Sequence, residues 1–180
     1  SSTKIVAYRF SPSPKVSAPP PAVDAAGAAG LPEPARRWLA RAVPPGTPAW
    51  SAAELSMRGE IRLGGSWRPF SARQLIVPGT GFVWAARTRL LGLPVSGYDR
   101  YGPDGGELRW RLLGIVPVMS ADGPDIARSA AGRLAGESIT VPPACLRAAW
   151  SAGPDPDTAV LSWDLDGVRE DVLLRVDPEG

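Results

Sequence analysis

Histidine is absent from the 180-residue sequence, and cysteine occurs once, at Cys145. The missing histidine removes the usual general base, the histidine-based catalytic triads and most zinc sites. A single cysteine rules out an intramolecular disulfide and any multi-cysteine metal site. Cys145 lies in the apolar context PPACLRAAW, which favours packing in a core over a role as a nucleophile. We therefore predict no catalytic residue, no metal site and no cofactor.

Long apolar runs are also missing. None approaches the roughly 18 residues of a membrane helix, and the run at residues 5–7 is too short for the core of a signal peptide. The sequence thus indicates no signal or membrane segment in this chain. It leaves the compartment open between the cytoplasm and a membrane-tethered position in a longer protein.

Lysine is scarce, since only Lys4 and Lys15 accompany the arginines among 20 basic and 18 acidic residues. Residues 151–180 hold eight acidic and two basic residues, so the positive excess lies in residues 1–150. Two interpretations stay open. Arginine-rich composition is typical of a high-GC genome, and it also suits a face that binds a polyanion.

The N-terminal part is rich in proline, alanine, serine and glycine, as in SPSPKVSAPPPAVDAAGAAG at residues 11–30. Such a segment cannot bury much surface. We predict that residues 1–29 form a flexible segment, either a tether or a ragged terminus. Residues 30–180 are predicted to form a single α+β domain.

Two stretches have helical character. LPEPARRWLARAVPPG begins with prolines that a first helical turn tolerates and ends at Pro44-Pro45-Gly46. ADGPDIARSAAGRLAGESI predicts a second helix over 124–137, with Asp122 as its cap. Its many small residues would let this helix lie close to a sheet.

Strands are indicated by apolar residues at every second position. This alternation holds over eleven residues at 53–63 and returns in FVWAARTRL and ELRWRLLG. Glycine-rich turns separate the strands. We predict α+β architecture, with one curved, half-barrel-like antiparallel sheet wrapped around one or two helices. Further strands are expected at 67–77, 95–101, 147–151, 159–163 and 168–176.

Several phrases together carry a family resemblance: LPEPARRWLARAVPPGTP, RGEIRLGGSWRPFSARQ, PGTGFVWAARTRL, GLPVSGYDRYGPDGGELRWRLLGIVPVMSADGPDIARSAAGRLAGE and PPACL. Over residues 31–178 the chain resembles an uncharacterised bacterial domain family that is common in actinobacteria and has no assigned activity. The resemblance implies further strands beyond residue 180, so the domain is expected to be truncated at its C-terminus. Some members carry a membrane segment before the proline-rich linker. The strand pattern is similar to that of periplasmic lipoprotein-carrier half-barrels, a likeness of architecture alone.

Tryptophans mark the apolar faces of the predicted strands. Trp84, Trp110 and Trp163 would either fill a core or line a cavity on the concave side of the curled sheet. The first functional hypothesis is therefore non-catalytic binding of a lipid-like or other apolar small molecule. Its candidate lining is Phe82, Trp84, Leu108, Trp110, Leu112, Ile126, Leu134 and Trp163.

Arginines occupy the opposite face. The simpler interpretation is a convex, solvated surface with Glu54, Glu60 and Glu107 as cross-strand partners. The alternative hypothesis is an interaction domain that engages a protein partner or an anionic membrane. No aromatic residues interleave on this face, so no specific nucleic acid is expected. Weak self-association through the edge of residues 168–176 is also predicted. The arginines of this face are Arg58, Arg62, Arg73, Arg87, Arg89, Arg109 and Arg111.

Overall fold

Seven strands, each paired with its neighbours in chain order, form the larger of two sheets in the computed structural model. The structure describes residues 3–11, 18–63 and 65–180. From the second strand onward only tight turns connect the strands, as in a meander. They are β1 (Thr3–Ser11), β2 (Ala53–Leu63), β3 (Ser66–Val77), β4 (Gly81–Leu90), β5 (Leu93–Gly102), β6 (Gly105–Leu112) and β7 (Val116–Asp122).

One face of this sheet is buried because apolar side chains recur at every second position. On β2 the buried side chains include Leu55, Met57 and Ile61, and on β4 they include Phe82 and Trp84. The intervening positions are mostly polar and more exposed. The alternation predicted from the sequence is therefore confirmed for both strands.

Helix α2 (Pro124–Glu137) confirms the helix predicted over 124–137. Its first turns lie against β6 at a glycine, where a Cβ on Gly106 would come within 2.8 Å of the Ala127 Cα atom. The missing side chain lets the helix backbone approach the strand closely.

A second, three-stranded sheet has the order β10-β9-β8. Its strands are β8 (Ala149–Ala152), β9 (Thr158–Leu165) and β10 (Val168–Arg175). Helix α1 (Glu33–Ala42) contacts both β9 and the short helix α3 (Pro142–Cys145). The fully buried side chains here include Leu161 on the central strand and Cys145 at the end of α3.

Arg37 ties α1 to the C-terminal segment. Its guanidinium donates to the carbonyl oxygens of Asp177 at 2.7 Å and Val176 at 3.0 Å. It also pairs with the carboxylates of Glu33 at 2.5 Å and Asp157 at 3.2 Å. With 18% of its side chain exposed, Arg37 satisfies backbone groups that no strand reaches.

The described residues group into two compact units. The first contains Ala53–Ile76 and Gly81–Ala131, and therefore most of the large sheet. The second contains Val77–Thr80 and Gly132–Gly180 together with α1. The predicted α+β class with antiparallel strands is confirmed, but the strands divide between two sheets where the sequence predicted one.

Two further elements differ from expectation. Strand β7 was not predicted, because it is exposed on both faces and so shows no alternation. Asp122 ends that strand and was predicted to cap α2. Strand β1 lies within the segment predicted to be flexible. In the same segment of the sequence, the Val23 N–H donates to the Thr47 carbonyl at 2.8 Å. Residues 1–2 and 12–17 of that segment lie outside the described residues, and its mobility stays a prediction.

Candidate functional site

A groove of about 1080 Å³ lies on the arginine face of the large sheet. Residues from five neighbouring strands, β2 to β6, line it, and every one of them belongs to the first unit. The charged and polar members of the lining alternate along each strand and so share one face of the sheet. We call it the arginine groove; its lining is Ser56, Met57, Arg58, Ser71, Ala72, Arg73, Ala85, Ala86, Arg87, Ser96, Gly97, Tyr98, Arg109 and Arg111.

Side-chain size shapes the groove, because arginines lie opposite serines on adjacent strands. Arg58 faces Ser71 across β2 and β3. Ser96 on β5 lies between two arginines, with Arg87 opposite on β4 and Arg111 opposite on β6. Directly opposed side chains on one face are about 5 Å apart at Cβ. The short serines thus leave space that the longer guanidinium groups flank.

A second set of pairs repeats this pattern with one aromatic ring. Arg73 lies opposite Ser56, while Tyr98 lies between Ala85 on β4 and Arg109 on β6. The Tyr98 hydroxyl adds a group that can donate or accept a hydrogen bond. The lining therefore combines cationic donors with hydroxyl groups.

The positive charge of the arginine groove is largely unneutralised. None of its lining residues is acidic. Arg58, Arg87 and Arg111 form no ion pair within the described part of the chain, and Arg73 has only Glu54, at 3.6 Å. The undescribed residues contain no aspartate or glutamate. Like charges gathered in one groove raise the local potential and attract anions.

Glu107 neutralises the rim of the groove. Its carboxylate accepts hydrogen bonds from Arg109 and, at 2.5 Å, from Arg100. The hydrogen bonds from Arg109 and Arg100 lower the pKa of Glu107 to about 2. The same contacts raise the pKa of both guanidinium groups. Glu107 thus stays ionised in all but strong acid and holds Arg109 at the edge of the groove.

Replacing Glu107 with glutamine should reduce the loss of stability in acid. Because the folded pKa is lowered, the ionised form stabilises the fold fully above the ordinary value of 4.5, and this contribution disappears as the pH falls to about 2. Urea unfolding of the two proteins across this window measures the difference. Glu60→Gln is the control, since Glu60 is exposed on the same face. An equal acid loss in Glu107→Gln and wild type would contradict the prediction.

Five of the seven predicted interaction arginines line the groove, and the other two lie nearer the hairpin turns. Arg62 donates to the Gly65 carbonyl at 3.4 Å and Arg89 to the Gly92 carbonyl at 3.1 Å. The convex shape that the sequence predicted for this face stays a prediction. The serines and Tyr98 were not singled out. The sequence signal for the serines was their alternation with arginine. This signal becomes informative only when the strand register shows which residues lie opposite each other.

The predicted apolar lining is divided between the two units. Leu134 and Trp163 belong to the second unit and the remaining six residues to the first. Phe82, Trp84, Leu134 and Trp163 are buried, while Leu108, Trp110, Leu112 and Ile126 are partly buried. The Trp84 ring lies 5.9 Å from Trp110 and 6.1 Å from Phe70, centroid to centroid. Aromatic side chains therefore pack against one another on the apolar face of the large sheet.

Cys145 is buried, as the sequence predicted. Burial raises the pKa of its thiol to about 12, and the thiol faces the Ser138 carbonyl oxygen at 3.4 Å. A thiol in this state is a weak nucleophile. Within residues 3–11, 18–63 and 65–180, no three acidic or cysteine side chains gather as a metal site would require. No helix in that part of the chain has the length and apolar character needed to cross a membrane.

The fold and the groove define an α+β domain whose large antiparallel sheet carries a cationic groove on one face. The sequence matches the family model described as "Family of unknown function (DUF6544)" over residues 21–180, so the chain belongs to that family. Neither a curated protein nor a solved structure matches the chain significantly.

Proposed function

We propose that this domain is a non-catalytic binding module whose arginine groove holds a ligand bearing phosphate or carboxylate groups. The observation that carries the proposal is the set of three arginines, Arg58, Arg87 and Arg111, that share one groove without a carboxylate partner in the described chain. Unpaired charges that are held together repel one another, so their grouping costs folding stability unless an anion binds.

Arginine suits this role better than lysine would. Its planar guanidinium presents donors that match the oxygens of phosphate and carboxylate in pairs. A groove of about 1080 Å³ lies near the upper end of ligand sites, which span roughly 300–1,000 Å³. It is much larger than one inorganic ion needs, and this size favours a ligand with several anionic groups or an anionic headgroup.

The lining favours binding over catalysis. It provides guanidinium groups and the hydroxyls of Ser56, Ser71, Ser96 and Tyr98. None of these lining residues is a carboxylate, cysteine or histidine that could act as a general base or an activated nucleophile. The predicted apolar lining supports a ligand site less well, because its eight residues are divided between the two units and four of them are already buried.

The test compares two triple variants with the same net charge. Arg58→Ser/Arg87→Ser/Arg111→Ser removes the unpaired arginines of the groove. Arg41→Ser/Arg62→Ser/Arg147→Ser removes three exposed arginines outside it. Both change the formal net charge from +2 by three. Binding of tripolyphosphate is measured by calorimetry, and binding of vesicles by sedimentation, with and without phosphatidylglycerol.

We expect the groove variant to bind at least about tenfold more weakly, because each lost hydrogen bond to a charged group costs a net ~1.5–3 kcal/mol and about 1.4 kcal/mol corresponds to tenfold. The control variant should bind like wild type. Binding of tripolyphosphate alone would identify a free anionic ligand. Binding of phosphatidylglycerol vesicles that Arg58→Ser/Arg87→Ser also weakens, with Arg111 retained, would identify a lipid headgroup in the groove. Equal weakening by both variants, or no binding of either probe by wild type, would overturn the proposal.

A further inference from the structure

Two adjacent hairpin turns of the large sheet expose large apolar side chains. Leu91 is 83% exposed and Leu93 45% at the turn between β4 and β5. Leu113 is 50%, Ile115 73% and Val116 48% exposed at the turn between β6 and β7. The Leu113 N–H donates to the Pro94 carbonyl at 2.9 Å, so the two turns lie side by side. We call these five residues the leucine edge.

Both turns also place leucine in an unfavourable backbone conformation. Leu91 has a φ of 51° and precedes Gly92 with a φ of 82°, and Leu113 has a φ of 54° and precedes Gly114 with a φ of 75°. Successive positive φ values are typical of type I′ hairpin turns, in which asparagine, aspartate or glycine is preferred at the first central position.

A third turn in the same protein shows the usual solution. Asp166, with a φ of 56°, precedes Gly167, with a φ of 79°, between β9 and β10. The chain thus carries aspartate at one such turn and leucine at two others. Leucine there is disfavoured twice, by the left-handed backbone and by exposure to water. Strain and apolar exposure at one place point to an interaction site.

The charge around the leucine edge favours an anionic partner. Residues 85–98 and 108–121, which hold the two turns, contain four arginines and no acidic residue. Arg89 and Arg111 each lie two residues before the leucine of their turn. At about 3.4 Å per residue along a strand, this places their Cα atoms roughly 7 Å behind the tip. The Arg89 guanidinium reaches forward from there to the Gly92 carbonyl of the turn, at 3.1 Å. Apolar groups of peripheral proteins penetrate about 5–10 Å into the boundary between headgroups and acyl chains.

We propose that the leucine edge inserts into the surface of an anionic lipid bilayer, with Arg89 and Arg111 at the level of the headgroup phosphates. The apolar tips enter the acyl boundary, and the guanidinium groups behind them bind phosphate oxygens. This surface rests mainly on residues outside the arginine groove, which shares only Arg111 with it. The two proposals can therefore fail separately.

The test substitutes asparagine at both tips, in Leu91→Asn/Leu113→Asn. Asparagine tolerates the left-handed conformation, so this variant should melt at or above the wild-type temperature. Its sedimentation with vesicles that contain phosphatidylglycerol should fall at least about tenfold, because leucine burial supplies much of the partitioning. Its affinity for tripolyphosphate should not change, which separates this surface from the groove.

The matched control is Val168→Asn/Leu173→Asn, since both side chains are 56% exposed on β10. This control should sediment with the vesicles like wild type. Wild-type protein that ignores the vesicles, or that binds phosphatidylcholine alone equally well, would overturn the proposal. So would an edge variant that keeps full vesicle binding. A dimer that forms without lipid and that the edge variant abolishes would instead identify a second copy as the partner.

Discussion

Alanine at position 97 should destabilise the large sheet by about 3 kcal/mol, within the upper range for forcing atoms into a packed site. Gly97 on β5 lies opposite Trp110 on β6. A Cβ atom there would come within 2.4 Å of the Trp110 ring and 2.5 Å of the Arg109 carbonyl oxygen. The ring has little freedom to move, because it packs on Trp84 and its Nε1 donates to Asp99 at 3.3 Å.

Gly102 provides the matched control on the same strand, since nothing lies within 4 Å of its Cβ position. Gly102→Ala should change stability by less than about 1 kcal/mol. Urea unfolding of both variants gives the comparison. In a Trp110→Ala background, the cost of Gly97→Ala should shrink, because only the Arg109 carbonyl remains as an obstacle. Equal effects of the two glycine substitutions would contradict the close approach of Trp110.

The position of Gly97 also connects the buried face to the arginine groove. Gly97 belongs to the groove lining, while the space where its side chain would be is occupied by the Trp110 ring on the other face. A Cβ that displaces the ring must also shift the backbone between Ser96 and Tyr98. We therefore expect Gly97→Ala to weaken tripolyphosphate binding as well as stability.

Much of the fold follows from the alternation of apolar and polar residues, which arises where one face of a strand is buried and the other is exposed to solvent. β2 and β4 satisfy this condition, and their limits were predicted to within a residue or two. β7 does not, because burial constrains neither of its faces. Its sequence, VPVMSAD, contains apolar residues that are exposed in the structure, so burial in a core does not explain them.

The groove itself could be predicted only in part. Alternation assigns Arg58 and Arg111 to the same face, but these residues lie on strands separated by three others. Which serine lies between which arginines depends on the register, and that register is observed only in the folded sheet. The direction of bending is likewise a property of the whole sheet. The sequence therefore predicts one arginine surface, and the structure adds that five of those arginines line a single groove.

Alanine at position 161 should cost about 3–4 kcal/mol, because a completely buried leucine would be replaced and a cavity left behind. Leu161 is 0% exposed on β9, the central strand of the small sheet. Strands pair with β9 on both sides, with Val172 and Trp150 in register with Leu161. The surrounding backbone is thus held by two ladders and cannot close around the lost side chain.

The control is a leucine on the neighbouring strand. Leu173 on β10 is 56% exposed and lies opposite Val160, next to Leu161 in the chain. Leu173→Ala removes the same atoms from a position that water already reaches, so it should cost less than about 1 kcal/mol. Guanidinium unfolding followed by circular dichroism measures both variants. Similar losses in the two proteins would mean that burial of Leu161 is not what stabilises the small sheet, and would leave β-strand propensity, which the two substitutions share, as the cause.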